Sequence, residues 1–108
     1  MTEWWGSMKS KYHILYKITN TINGKIYIGT HSTYNVFDGY MGSGLHIKRA
    51  IKKYGIHNFK REILGYYETR KELSEAEHRI VDASFIDDEC TYNIVLGGDG
   101  EYAQVALQ

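Results

Sequence analysis

Tyr16 and Tyr27 stand eleven residues apart, with Asn23-Gly24 between them and Gly29 two residues beyond the second. Tyr12 to Ile18 alternates apolar or aromatic residues with polar ones, and Lys25 to Gly29 is rich in β-formers. These are the patterns of two short strands. Asn-Gly favours the positive φ angles of a tight hairpin turn. The connection Asn20 to Gly24 is longer than two residues, so a bulge or a wider loop is open to it. Paired this way, the tyrosines share a phase and both phenols fall on one side of a small sheet. A phenol near its ordinary pKa of about 10 is a poor base at neutral pH. To accept a proton it needs neighbouring cations that favour the phenolate. His31, Lys48 and Arg49 are the candidates to supply that field.

A carboxylate, Glu77, is the third feature. It lies four residues after Leu73, three before Ile80 and seven before Ser84, on or beside the apolar stripe of a helix. A carboxylate there costs desolvation energy unless it is paired, with Arg49 or Lys48 for example, or bound to a metal. Glu72, Glu75 and Asp82 point away and read as solvated.

The elements that must position these groups are legible in outline. Residues 30–44 hold Gly39, Gly42 and Gly44 and read as a loop ordered by Tyr34, Phe37 and Tyr40. Ser43 is the expected N-cap of a helix to about Tyr54, with Gly55 as its stop. Ile47, Ala50, Ile51 and Tyr54 form its apolar stripe; Lys48, Arg49, Lys52 and Lys53 occupy the remaining arc with no acid among them. Asn58 to Tyr67 reads as a third strand, with Phe59, Arg61, Ile63 and Gly65 on one face. A second helix is expected from Thr69 or Arg70 to about Phe85. The order β-β-α-β-α predicts an α+β fold, a small three-stranded antiparallel sheet flanked by helices.

The hairpin resembles the start of the GIY-YIG nuclease domain. Its first motif reads Ile14-Leu15-Tyr16, without the usual glycine; the second, Tyr27-Ile28-Gly29, is complete. Two later segments match as well: Ser74-Glu75-Ala76-Glu77, and Tyr92-Asn93-Ile94 followed by Gly97-Gly98. The likeness covers roughly residues 12–98. It implies a metal-dependent DNA endonuclease, with Tyr16 as general base and Tyr27 positioning the water or phosphate. By the same likeness Glu77 binds the divalent metal, Mg²⁺ or Mn²⁺, and Asn93 supports the site through hydrogen bonds. The family's arginine, usually about ten residues after the second tyrosine, is missing: Phe37 holds that spacing. His31 is expected to serve as phosphate ligand or proton relay in its place, and Arg49 to supply the charge. The glycine loop Tyr40-Met41-Gly42-Ser43-Gly44 followed by Ile47-Lys48-Arg49-Ala50 looks like that of phage-encoded or homing-type relatives.

Phosphate contacts are expected from Lys48, Lys52, Lys53 and Lys60. The chain of 108 residues has zero net charge, but the charge is segregated. Ten cationic and three anionic side chains lie in residues 1–66, and three and ten in residues 67–108. That asymmetry fits a basic face meeting a polyanion, and equally an ordinary solvated surface. A single cysteine, Cys90, excludes an intrachain disulfide and a cysteine-rich zinc site, and is expected to be buried or half-buried. His13, His46, His57 and His78 lack metal-ligand spacing and read as structural or surface. No apolar run is long enough to span a bilayer and there is no signal-peptide pattern, so an intracellular protein with no membrane partner is expected. Residues 1–11, with Trp4-Trp5 and a second Met at position 8, read as an appended leader; 12–98 as one domain; 99–108 as a tail. The oligomeric state is left open: one site per chain nicks one strand, and a double-strand break needs a second event or a second copy. The competing expectations are a nucleic-acid-binding module that does not cut, and a protein-interaction domain anchored by Trp4-Trp5.

Overall fold

The computed structural model describes residues 11–94. The expected leader, the tail and Gly97-Gly98 therefore lie outside the described residues, all but Lys11 of the leader. The chain runs β1 (Tyr12–Asn20), β2 (Ile26–Thr33), α1 (Leu45–Tyr54), a 3₁₀ turn (Ile56–Asn58), β3 (Phe59–Tyr67), α2 (Arg70–Ile80) and α3 (Ala83–Asp87). The sheet has the order β2-β1-β3, with β1 central and antiparallel to both neighbours. This is the expected α+β arrangement.

Two cores lie on opposite faces of the sheet. Tyr16, Ile18 and Phe59 pack with Ile47 and Ala50 of α1 on one side; Leu15 and Ile28 pack with Leu73, Ala76 and Val81 on the other. Alternation along β1 divides its side chains between the two. Strand β3 serves both faces by a different device. Tyr16 pairs with Ile63 but Leu15 pairs with Gly65, so the register slips at Leu64. Such a bulge reverses the side-chain phase. Phe59, Arg61 and Ile63 face α1, whereas Gly65 moves to the α2 face, a departure from the unbroken alternation expected for this strand.

The hairpin takes the wider of the two loops open to it. Asn20 N–H donates to the Lys25 carbonyl at 2.9 Å, Gly24 N–H donates to the Asn20 carbonyl at 2.8 Å, and Gly24 alone in the turn has a positive φ, of 78°. Helix α1 stops at Gly55 as predicted, at φ 89°. Its N-cap is Gly44 rather than Ser43, with no side-chain cap. The expected long second helix breaks in two: Val81 turns out of helical geometry, and the Asp82 side chain caps α3 by accepting from Phe85 N–H at 2.9 Å. Val81 is buried at 1 % exposure, so the break turns it into the second core. Thr69 caps α2, accepting from Glu72 N–H at 3.1 Å.

Beyond α3 the chain returns along the free edge of β2. Ile26 N–H donates to the Cys90 carbonyl at 2.9 Å and Tyr92 N–H to the Ile26 carbonyl at 2.8 Å, a short parallel bridge. Pairing in this way protects an otherwise open edge. Cys90 is exposed, not buried as expected, because its carbonyl makes this bridge and its N–H donates to Asp88 Oδ1 at 2.9 Å while the side chain faces outward. Among the described residues no helix is long and apolar enough to cross a membrane.

Candidate active site

Tyr16 pairs with Gly29 and Ile18 with Tyr27, so both tyrosines rise from the α1 face of the hairpin. Their rings are tilted with centroids 6.2 Å apart. A third phenol joins them: Tyr40, from the glycine loop, meets Tyr16 edge-on at 5.9 Å. Gly29 is what makes room. A Cβ built there would lie 2.3 Å from Tyr16 Oη and 2.6 Å from its Cζ, so the phenol passes directly over the glycine. The loop glycines close on Tyr27 likewise, since a Cβ on Gly44 would stand 3.1 Å from its ring. That close approach explains the cap at Gly44. The N-terminus of α1, with no acidic residue in its first turn, opens beside the Tyr27 phenol.

The electrostatics of the pair are set by burial. Tyr16 is 1 % exposed. Loss of solvent pushes its phenol well above the ordinary value, and Tyr27, Tyr40 and Glu77 push it further. Tyr27 is raised too, first by burial and then by Tyr40 and Glu77, while hydrogen bonds with Tyr16 and the Gly44 backbone pull the other way. None of these leading influences is a cation, so the field expected from His31, Lys48 and Arg49 is not prominent. The consequence for stability has a definite sign. The folded protein holds a proton on Tyr16 that the unfolded chain gives up near pH 10, so stability is retained below pH 10 and lost above it. The loss approaches about 1.4 kcal/mol per pH unit for one fully linked group. Urea unfolding between pH 9 and 11 should show that fall, and Tyr16→Phe should flatten it.

Glu77 is half-buried on α2, the helix of the opposite face, yet its charge acts on both phenols. No group of three or more His, Cys, Asp or Glu side chains converges on one point among the described residues. The groups within electrostatic reach of one another here are one carboxylate and phenols, all oxygen donors. Such a set suits a hard cation that keeps most of its water, as Mg²⁺ does when held by one or two carboxylates, and does not suit a zinc cage. Glu77 fits the metal role on those grounds.

Asn93 is buried and grips the strand between Tyr27 and Gly29. Its Oδ1 accepts from Ile28 N–H at 3.0 Å and its Nδ2 donates to the Ile28 carbonyl at 2.7 Å. The side chain thereby continues the parallel bridge where the backbone departs.

His31 accompanies the tyrosines through Tyr40, on whose ring it stacks at 3.7 Å with planes 2° apart. Its Nε2 hydrogen-bonds Asp38 Oδ2 at 2.7 Å. The histidine contact and the Tyr40 backbone N–H hold the Asp38 carboxyl well below the usual range. Arg61 completes the network: it donates to the carbonyls of Tyr40, at 3.1 Å, and Val36, and stands 3.7 Å from Asp38. These polar contacts order the loop together with Tyr40. Phe37 and Tyr34 are 89 % and 60 % exposed and do not serve as the loop's aromatic anchors. Arg61 and Asp38 were not expected in the site. The available signal was an arginine on an apolar strand face, which needs partners.

Arg49 goes elsewhere. It is exposed, and with Lys25, His46 and Lys53 it lines a pocket that includes neither tyrosine nor Glu77. Lys48, Lys52 and Lys53 are exposed on α1, whereas Lys60 pairs with Thr19 and so leaves from the opposite face of the sheet.

Comparison with known proteins identifies the family. The family model described as "Putative endonuclease segE, GIY-YIG domain" matches residues 34–92, from the glycine loop through Tyr92. The chain is 52 % identical over 100 residues to "Putative endonuclease segD" of Enterobacteria phage T4, covering 93 % of this chain and 44 % of that protein. It is 48 % identical over 92 residues to "Endonuclease segA" of the same phage, covering 85 % of this chain and 42 % of the relative. The chain thus spans less than half the length of the curated relatives it matches. No solved structure matches significantly. With the hairpin tyrosines on one face, the glycine loop closed over them and the family model covering 59 of 108 residues, the chain belongs to the GIY-YIG nuclease family.

Proposed function

We propose that this chain is a divalent-metal-dependent DNA endonuclease whose active site is the Tyr16–Tyr27–Glu77 cluster. The observation that carries the reading is the packing of the Tyr16 and Tyr27 phenols on one face of the hairpin, Tyr16 directly over Gly29, within reach of the charge of Glu77. Glu77 would hold a divalent ion, Mg²⁺ or Mn²⁺, which when bound would supply Lewis acidity and positive charge. Tyr16 acts as general base toward the attacking water. Because burial raises its pKa, the phenolate is scarce at neutral pH but strongly basic once formed. Tyr27, beside the N-terminus of α1, positions the water or the phosphate, where backbone N–H groups favour an anion. His31, oriented by Asp38 and stacked on Tyr40, takes the place of the absent arginine as phosphate ligand or proton relay. Lys48, Lys52 and Lys53 hold the DNA backbone without reading sequence.

A second reading, a binding module that does not cut, is favoured by one observation: no cation figures among the leading influences on Tyr16. Nicking of supercoiled plasmid separates the two. Tyr16→Phe should lower the rate by about 100-fold or more, in the range general-base groups contribute. His31→Ala should also slow it; cleavage at the wild-type rate would remove His31 from the mechanism. DNA retarded on a gel but never nicked would leave the binding module.

A further inference from the structure

The pocket that receives Arg49 has a volume of about 310 Å³ and is built from three distant segments: the β1–β2 turn, α1 and residues 91–92. Lys25, Arg49 and Lys53 line it with His46, and no carboxylate is among its lining residues. Its inner wall is Tyr92, 9 % exposed, whose hydroxyl accepts from Asn20 Nδ2 at 3.0 Å and Asn23 Nδ2 at 3.3 Å. Both lysines lie along aromatic rings: Lys25 Nζ is 5.7 Å from the Tyr92 centroid and Lys53 Nζ 5.2 Å from that of Tyr54. Three cations around one concavity repel each other unless an anion occupies it. A pocket of this size, with cations that bond bidentately or as point charges and no acid to exclude a negative ligand, suits a phosphate group.

We propose that this pocket is a second phosphate subsite, taking a phosphate of the DNA backbone away from the tyrosine pair. The proposal rests on the nuclease reading for its DNA substrate. It gives Arg49 a binding role at a distance from the chemistry and adds Lys25, which precedes β2 two residues before Tyr27. Tyr92, next to Asn93, joins the subsite to the segment that grips the tyrosine strand. Binding there would therefore set the position of the duplex relative to the scissile phosphate.

The test uses the full chain in EDTA, so that binding is read without cleavage. Fluorescence anisotropy of a short labelled duplex is followed from 50 to 200 mM KCl. Lys25→Gln/Arg49→Gln should bind about tenfold more weakly at 100 mM, and its plot of log affinity against log salt should be shallower by about 2, one for each phosphate-facing cation removed. Lys25→Arg/Arg49→Lys, which keeps the charge, should restore the slope. In ¹H–¹⁵N spectra, inorganic phosphate and the duplex should each move the Asn23 and Thr91 amides in wild type, and neither should do so in the double glutamine variant. An unchanged salt slope in that variant overturns the proposal, whether or not the protein cleaves. Amide shifts with inorganic phosphate but none with the duplex overturn it in favour of a free-phosphate site. If the slope falls as expected but the wild type never cleaves with Mg²⁺ or Mn²⁺, the subsite stands and the nuclease reading falls.

Discussion

Gly29→Ala should cost at least about 100-fold in plasmid cleavage while leaving a folded protein, because the added methyl displaces the phenol proposed as general base. A Cβ at position 29 would sit 2.3 Å from Tyr16 Oη. That separation is far inside van der Waals contact, and Tyr16 has little room to retreat: Tyr27 and Tyr40 hold its ring on two sides. Overpacking of this kind costs about 1–3 kcal/mol. The backbone at Gly29 has no positive φ to protect, so the effect is steric and not conformational. Cleavage rates beside urea unfolding separate the two losses. A variant that cuts at the wild-type rate would mean that the Tyr16 phenol can move without consequence, which the proposed mechanism does not allow. Shortening the partner offers a check, since Tyr16→Phe removes the closest atom and should recover part of the stability lost in Gly29→Ala without recovering activity.

The second large effect is expected at Asn93. Removing its amide leaves the Ile28 N–H and carbonyl without the partners they now have at 3.0 and 2.7 Å. Unsatisfied buried groups cost about 1–3 kcal/mol each. Asn93→Ala should therefore destabilise the domain by an amount that is large against the usual 5–15 kcal/mol total of a small protein. Activity should fall further than the folded fraction does, since Ile28 lies between Tyr27 and Gly29. Asn93→Asp discriminates sharply. Its carboxylate accepts from Ile28 N–H but repels the Ile28 carbonyl, so burial and repulsion raise its pKa in the folded state. Stability is then lost as pH rises through that raised value and regained on acidification, when the protonated oxygen can donate. Denaturation midpoints of this variant should be higher at pH 5 than at pH 8. Equal midpoints would show that the side chain does not bear on the strand edge.

How much of this was legible in the sequence depends on the range of the interaction concerned. The hairpin, the phase of Tyr16 and Tyr27, the α1 stripe and the Gly55 stop all follow from alternation, turn chemistry and helical spacing within a few residues. Four features did not follow. The bulge at Leu64 lies in the pairing of β3 with β1, and a strand read alone shows unbroken alternation. The break after Ile80 comes from Val81 entering the second core and Asp82 capping anew, a tertiary event inside a segment whose local pattern still suits a helix. The loop network of His31, Asp38 and Arg61 joins residues up to 30 apart; only Arg61 on an apolar strand face hinted at it. Arg49 was placed by charge alone, and charge without contacts did not distinguish the tyrosine cluster from the neighbouring pocket.

The central claim is that Glu77 holds the divalent ion which the tyrosine pair needs. Supercoiled plasmid incubated with the protein in Mg²⁺ or Mn²⁺, beside Glu77→Ala and an EDTA control, tests it most directly. Nicked or linear product from the wild type alone, lost in both controls, is the predicted result. Cleavage by Glu77→Ala at the wild-type rate, or undiminished in EDTA, would contradict it.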